Sequence, residues 1–184
     1  MQYIADFHFH SKYSRATSRQ SDLENLERWA RIKGIKILGT SDFTHPEWLR
    51  ELKGKLESAE EGLYKLKSQI SSIKFKTDSK FQPPDFKDKD ETRFILTTEI
   101  SCIYTKKGKV RKIHIVIFVP SFEVVDKINT QLSWSANLKS DGRPIIGMDV
   151  KELTKIVLTS SPECLLVPAH IWTPWFSLFG SRSG

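Results

Sequence analysis

The sequence predicts an α/β fold on three observations: a strand, helix, strand order with a short return at its start, apolar β-branched runs further on with helical patterns between them, and single polar residues punctuating those runs. Tyr3 to His10 is aromatic and alternating enough to form a strand with opposite faces. Asp22 can cap a helix carrying Leu23, Leu26 and Ala30 on one face, and Gly34 suits its end. Ile35 to Thr40 is the next strand, and the short return implies a parallel pair joined by a right-handed crossover.

Pro46 suits the first turn of a second helix, which presents Trp48, Leu49, Leu52 and Leu56 inward and pairs Glu51 with Lys55 on its outer side. Residues 71–91 are polar, charged and broken by Pro83 and Pro84, an exposed loop or insertion. Arg93 to Tyr104 and Arg111 to Val119 read as two strands of a hairpin turning through Thr105 to Lys109. Ser121 or Asp126 can start a short helix toward Leu132. Asp149 with Glu152 resembles a capping box ahead of Val150, Leu153, Ile156 and Val157, and Cys164 to His170 reads as a buried strand.

A chain of 184 residues with 39% hydrophobic and 11% aromatic content suits one domain with a substantial core and excludes a disordered chain. No apolar run approaches the roughly 20 residues of a membrane span, and the start lacks the zones of a signal peptide, so a cytoplasmic protein with no membrane partner is expected. Cys102 and Cys164 form no C-x-x-C pair and read as small hydrophobes. The net charge of +7 favours polyanionic partners. No G-x-x-x-x-G-K-[ST] loop occurs, which removes the usual nucleotide-driven motor chemistry.

His8 and His10 stand at i and i+2, a spacing that lets two imidazoles approach one cation, although a chance pair of strand histidines has the same spacing. Asp42 follows the second strand, Glu99 interrupts an apolar run, His114 interrupts another, and His170 closes Leu165 to Ala169. In barrels of parallel strands such residues converge at the carboxyl ends, where imidazoles and carboxylates suit zinc, manganese or iron. His114 reads alternatively as a hydrogen-bonded core histidine. His8, His10, Asp42, Glu99, His114 and His170 are therefore the candidate ligands for two or three divalent cations, zinc first, with manganese, iron or magnesium as alternatives. Glu99 is a natural bridge because one carboxylate offers two oxygens. Glu99, His10 and Asp42 are the candidate catalytic residues, and the chemistry that uses such a set is phosphoester hydrolysis.

These residues lie in stretches that resemble successive motifs of the polymerase and histidinol phosphatase (PHP) superfamily: His8-Phe9-His10-Ser11, Thr40-Ser41-Asp42, Thr98-Glu99-Ile100, His114 and Ala169-His170. Ala5 to Ser14, Lys139 to Pro144 and Pro168 to Ser181 are more specifically similar to its endonuclease Q branch. The resemblance spans the chain and implies a distorted (β/α)7 barrel with a multinuclear metal centre. It also implies a DNA repair endonuclease that nicks 5′ of deaminated bases, uracil or hypoxanthine, or of abasic sites, with such DNA as partner and a replication or repair protein as a further partner. The alternatives are a phosphatase of small phosphomonoesters and a non-catalytic nucleic-acid-binding scaffold.

Two departures stand out. Tyr13-Ser14-Arg15-Ala16 and Phe43 occupy places where many members of the superfamily carry further histidines, a pattern that the endonuclease Q branch shares. His45, ahead of Pro46, reads as a helix-entry residue and not as their substitute. The late Asp-x-His motif is absent, so residues 1–184 are expected to be a PHP domain that stops before its barrel closes, with later strands, a zinc-binding module and a helical region beyond it. Such a chain is expected to be weakly active or inactive.

Lys12, Arg15, Arg19 and Arg143 are the candidate phosphate-binding residues near the motifs, and Lys107, Lys109 and Arg111, with Lys106 and Lys112, form a basic hairpin that could track phosphates or be a solvated turn. Trp172, Trp175 and Phe176 follow His170 and could stack on a base or pack a loop under the rim.

Overall fold

The computed structural model describes residues 2–68, 70 and 91–183, and shows a mixed sheet of eight strands with helices packed against it. Strand β1 (Ile4–Asp6) leads into helix α1 (Leu23–Lys33) and strand β2 (Ile35–Gly39), and the two strands are parallel. The Asp22 carboxylate accepts the Asn25 amide at 2.9 Å, and Gly34 ends the helix at φ 73°, so both expected caps are present. β1 is shorter than expected, which leaves His8-Phe9-His10 in the loop beyond its carboxyl end.

Helix α2 (Pro46–Lys55) buries Trp48 and Leu52, and Pro46 occupies its first turn. Leu56 does not continue it: it opens strand β3 (Leu56–Ser58), which pairs antiparallel with β4 (Tyr64–Leu66) in a small hairpin that sequence patterning did not indicate. The loop expected over residues 71–91 lies outside the described residues apart from Glu91, which accepts from Arg93 at 3.2 Å.

Strand β5 (Arg93–Lys106) organises the rest. Its first residues lie between β2, parallel, and β4, antiparallel, and from Leu96 onward it pairs antiparallel with β6 (Lys109–Val119). The expected hairpin is present, with a tighter turn. Lys107 and Gly108 alone form it, both left-handed at φ 52° and 74°, the combination that matches the twist of flanking strands. Helix α3 (Phe122–Ser133), capped by Ser121, packs on helix α4 (Val150–Ser160). Asp149 caps α4 through the Lys151 amide, but Glu152 pairs with Lys155 and does not complete a capping box. Strand β7 (Ile145–Ile146) lies parallel to β5, and β8 (Leu165–Pro168) antiparallel to β6.

The parallel pairs β1–β2, β2–β5 and β5–β7 meet the expected α/β pattern, while the β5–β6 and β6–β8 pairs make the sheet mixed. Among the described residues the sheet is not closed. β8 is not the buried strand expected: Leu165 is 57% and Val167 40% exposed, because β8 pairs only with β6 among the described residues. Cys102 and Cys164 are buried free cysteines, as expected. Phe94, Leu96, Ile100, Ile115, Ile117, Trp48, Leu23 and Ile128 are fully buried and anchor the core between sheet and helices. No helix of the described residues is long and apolar enough to cross a membrane.

Candidate metal centre

Glu99 is the centre of the site. It lies on β5 opposite Val116, so His114, two residues before Val116 on β6, is its diagonal neighbour on the same face of the hairpin. His114 Nδ1 lies 3.0 Å from Glu99 Oε1. His8 Nε2 approaches the same oxygen at 3.1 Å from the loop after β1, and His170 Nε2 at 3.4 Å from the loop after β8. His10 Nε2 reaches the other oxygen, Oε2, at 3.1 Å. Four imidazoles thus converge on one carboxylate that is 2% exposed.

Oε1 and His114 Nδ1 are nevertheless buried without a hydrogen-bond partner, since the surrounding nitrogens are near but out of line. Four ligands about 2.1 Å from a tetrahedral cation stand about 3.4 Å from one another, so spacings of 3.0–3.4 Å without aligned hydrogen bonds fit a ligand cage. The atoms form two groups, His8 with His10 and Glu99, and Glu99 with His114 and His170, in each of which all ligand atoms lie within 4.8 Å of one another. Glu99 belongs to both, the place expected of a bridging carboxylate.

Asp42 lies behind this layer and in neither group. It is fully buried; its Oδ2 accepts from the Ser11 amide at 2.7 Å, the Ser11 hydroxyl at 2.7 Å and the Ser14 hydroxyl at 2.9 Å. Oδ1 faces His10 Nδ1 at 3.0 Å and accepts from Ser41 Oγ at 3.1 Å. Gly142 closes the back of this cage, since a Cβ there would come within 2.4 Å of both Asp42 Oδ2 and Ser14 Oγ. Sequence reasoning found Asp42 but not Ser11, Ser14 or Gly142, because a close approach between distant segments leaves no local pattern.

The backbone at the site is unusual. Ser41 (φ 57°), Asp42 (φ 47°), His170 (φ 32°) and Phe176 (φ 55°) are left-handed without being glycine. The Ser41–Asp42 bend is held by Thr97 Oγ1, which accepts the Ser41 amide at 2.9 Å, and by the Trp48 indole, which donates to the Thr40 and Ser41 carbonyls at 3.0 and 2.9 Å.

Burial alone would raise the Glu99 carboxyl, but the imidazoles of His10, His114 and His8 outweigh it and hold it well below the usual carboxylate range. Asp42 is likewise lowered against its burial by His10 and Ser11. Burial opposes charge on His10, yet Asp42 and Glu99 together push it up to about 9. Burial dominates at His170 and lowers it.

Arg143 reaches Glu99 Oε2 at 3.3 Å. Its arch is pinned on both sides, with the Gly142 amide donating to the Tyr13 carbonyl and the Ser101 amide to the Pro144 carbonyl, each at 3.0 Å. Lys12 is engaged elsewhere, on Glu51 at 2.8 Å. Arg15 is 82% exposed beside Asp141, and Arg19 is exposed. Lys107 and Lys109 lie exposed at the hairpin tip and Arg111 beside it, while Lys106 pairs with Asp149. β5 runs on from Glu99 to Lys106, roughly 23 Å at about 3.3 Å per residue, so the tip is remote from the Glu99 cluster.

Of the expected stacking residues, Phe176 packs on the His114 ring at 4.8 Å. Trp175 is 48% exposed with the cationic ends of Lys112 and Arg182 over its ring, and Trp172 is 78% exposed beside Phe179, an aromatic that sequence reasoning passed over. His45 is buried, stacks on Tyr13 at 4.5 Å and precedes α2, as expected of a helix-entry residue.

No family model matches the sequence. The chain is 28% identical over 170 residues, 92% of its length, to an uncharacterized protein of Methanocaldococcus jannaschii, of which it spans 16%. Its fold matches that of the lesion-specific endonuclease PfuEndoQ from Pyrococcus furiosus with a TM-score of 0.72 at 23% identity, over 95% of this chain and 36% of that one. It matches endonuclease Q in complex with a 27-mer duplex substrate carrying an abasic lesion at the active site with a TM-score of 0.71 at 24% identity, over 95% of this chain and again 36% of the other. The likeness to endonuclease Q expected from the motifs is thus present in the fold, over about a third of the length of those solved chains.

Proposed function

We propose that the chain is a PHP-type, metal-dependent phosphoesterase domain of a DNA repair endonuclease that nicks 5′ of deaminated bases or abasic sites. The observation that carries this reading is the buried Glu99 carboxylate, ringed by four imidazoles and with Oε1 lacking any hydrogen bond. His8, His10 and Glu99 would hold one cation, and Glu99, His114 and His170 a second, zinc being the best match to a set rich in imidazole. Such cations, when bound, activate water and neutralise charge developing on phosphate oxygens.

The protein's own groups complete the reading. Arg143, on its pinned arch at the edge of the cluster, would take a non-bridging phosphate oxygen. Arg15, exposed beside Asp141, and Arg19, exposed in the loop after the His8–His10 motif, would add phosphate contacts, and Lys107, Lys109 and Arg111 would track the backbone of a bound duplex further away. Trp172, packed beside Phe179, and Trp175, with Lys112 and Arg182 over its ring, keep exposed aromatic surface in the loop after His170 that would take an unstacked base once these side chains give way. Among the described residues β1 pairs only with β2 and β8 only with β6, and the exposed Ile4, Leu165 and Val167 at these margins fit a (β/α)7 barrel.

Metal analysis of the chain, followed by nicking assays on uracil, hypoxanthine and abasic oligonucleotides with the chain and with the longest product of its gene, tests the proposal. Stoichiometric zinc, manganese or iron and cleavage confined to lesion-bearing strands are expected. Absence of bound metal, or phosphate release from small esters without nicking, would overturn it.

A further inference from the structure

We propose that Asp42 is a positioning residue that holds His10 with its hydrogen on Nδ1 and its lone pair on Nε2, and is not itself a metal ligand. The inference deepens the metal reading above. Every lone-pair direction of the Asp42 carboxylate is already used: Oδ2 by the Ser11 amide, the Ser11 hydroxyl and the Ser14 hydroxyl, and Oδ1 by Ser41 Oγ and His10 Nδ1. Gly142 packs against the same side of the carboxylate, since a Cβ there would stand 2.4 Å from both Oδ2 and Ser14 Oγ. His10 Nε2, on the other side of the ring, lies 3.1 Å from Glu99 Oε2. An imidazole ligates only through an unprotonated nitrogen, and a carboxylate on one ring nitrogen fixes which nitrogen that is.

The cage also sets what an amide would do at position 42. A backbone N–H can only donate, so the Ser11 amide requires an oxygen at the Oδ2 place. In Asp42→Asn the NH2 group is therefore forced to the Oδ1 place. Ser41 can accommodate it there, because its single hydroxyl hydrogen, placed between Asp42 Oδ1 and the Phe9 carbonyl, can turn wholly to Phe9 and leave the oxygen to accept. Facing that NH2 group at the closer distance, 3.0 Å against 3.4 Å to Ser14 Oγ, His10 Nδ1 is favoured to accept, which puts the ring hydrogen on Nε2 and removes the lone pair that faces Glu99. Asp42→Ala imposes no such tautomer. A positioning Asp42 thus makes the near-isosteric asparagine more damaging than alanine, whereas a ligating Asp42 makes asparagine, which keeps an oxygen, the milder change.

The test is zinc binding by chelator competition, with 15N NMR of the histidine rings, on the wild-type chain, Asp42→Asn and Asp42→Ala. The expected result is His10 as the Nδ1–H form in the zinc-loaded wild type, the Nε2–H form in Asp42→Asn, and zinc affinity about tenfold weaker in Asp42→Asn than in Asp42→Ala, within the range seen when such partners of ligands are lost. Equal or milder loss in Asp42→Asn, or zinc on Nδ1 of His10, overturns the proposal. Should neither variant fold, the wild-type ring spectrum decides between the same two results. A wild type that binds no zinc overturns the metal reading instead; the zinc-free ring spectrum at pH 10 then tests the positioning, Nδ1–H supporting it and Nε2–H overturning it.

Discussion

The rings of His8 and His170 stack at 5.8 Å, although they follow strands at opposite margins of the sheet, β1 and β8, that share no hydrogen bonds. Both face Glu99 Oε1. Cations bound through Glu99 would therefore tie the two margins together. Zinc at about 100 times its Kd should stabilise the chain by about 2.7 kcal/mol, which raises Tm by roughly 5–10 °C at this chain length. Scanning calorimetry with zinc and with a chelator checks this, and Glu99→Gln should abolish the shift.

His10 gives the zinc-free protein a defined pH response. Its folded pKa of about 9 lies above the ordinary value of 6.5, so its stabilising effect is complete below pH 6.5 and is lost as pH rises through about 9. Zinc reverses the trend, because it must displace the Nε2 hydrogen, and its affinity should climb over the same interval. Melting temperatures from pH 6 to 10, with and without zinc, should diverge.

Gly142→Ala should displace the Asp42 carboxylate and cost about 1–3 kcal/mol, in line with overpacking of a filled site. Gly54→Ala, within α2 and with no atom within 4 Å of where its Cβ would stand, should instead stabilise by up to about 1 kcal/mol. Denaturant unfolding of the two variants separates a conformational effect of glycine from a steric one.

Lys107→Ala and Lys109→Ala should each reduce the salt dependence of duplex binding by about one unit of the log–log slope. Lys12→Ala should leave that slope nearly unchanged, because its ammonium is bound to Glu51. Binding measured by anisotropy between 50 and 200 mM salt distinguishes them.

Trp172→Ala and Trp175→Ala should weaken binding to lesion-bearing DNA by about 1–3 kcal/mol and to undamaged DNA by less. Equal losses would mean that these rings only pack the loop. Phe176→Ala should act on metal affinity instead, through its contact with His114.

Much of the cluster was legible because its members are polar residues set in apolar runs: Glu99 and His114 interrupt β5 and β6, and His170 closes the segment that contains β8. The caps at Asp22, Gly34 and Ser121 were legible because their chemistry is local. The β3–β4 hairpin was not, since its strands are three residues each and only β4 joins the rest of the sheet, with Tyr64 opposite Phe94 of β5. Nor was the division of labour between Asp42 and Glu99, two carboxylates that look alike in sequence. One is filled by hydrogen bonds from Ser11 and Ser14, and the other has an oxygen with none.

The two-residue turn at Lys107–Gly108 has a consequence far from itself. It fixes which residue of β6 stands opposite each residue of β5, and successive side chains alternate between faces. A slip of one residue would keep the hairpin's ladder of amides and carbonyls yet turn His114 away from Glu99. Errors in this turn should therefore surface as lost metal uptake while circular dichroism still shows a folded sheet.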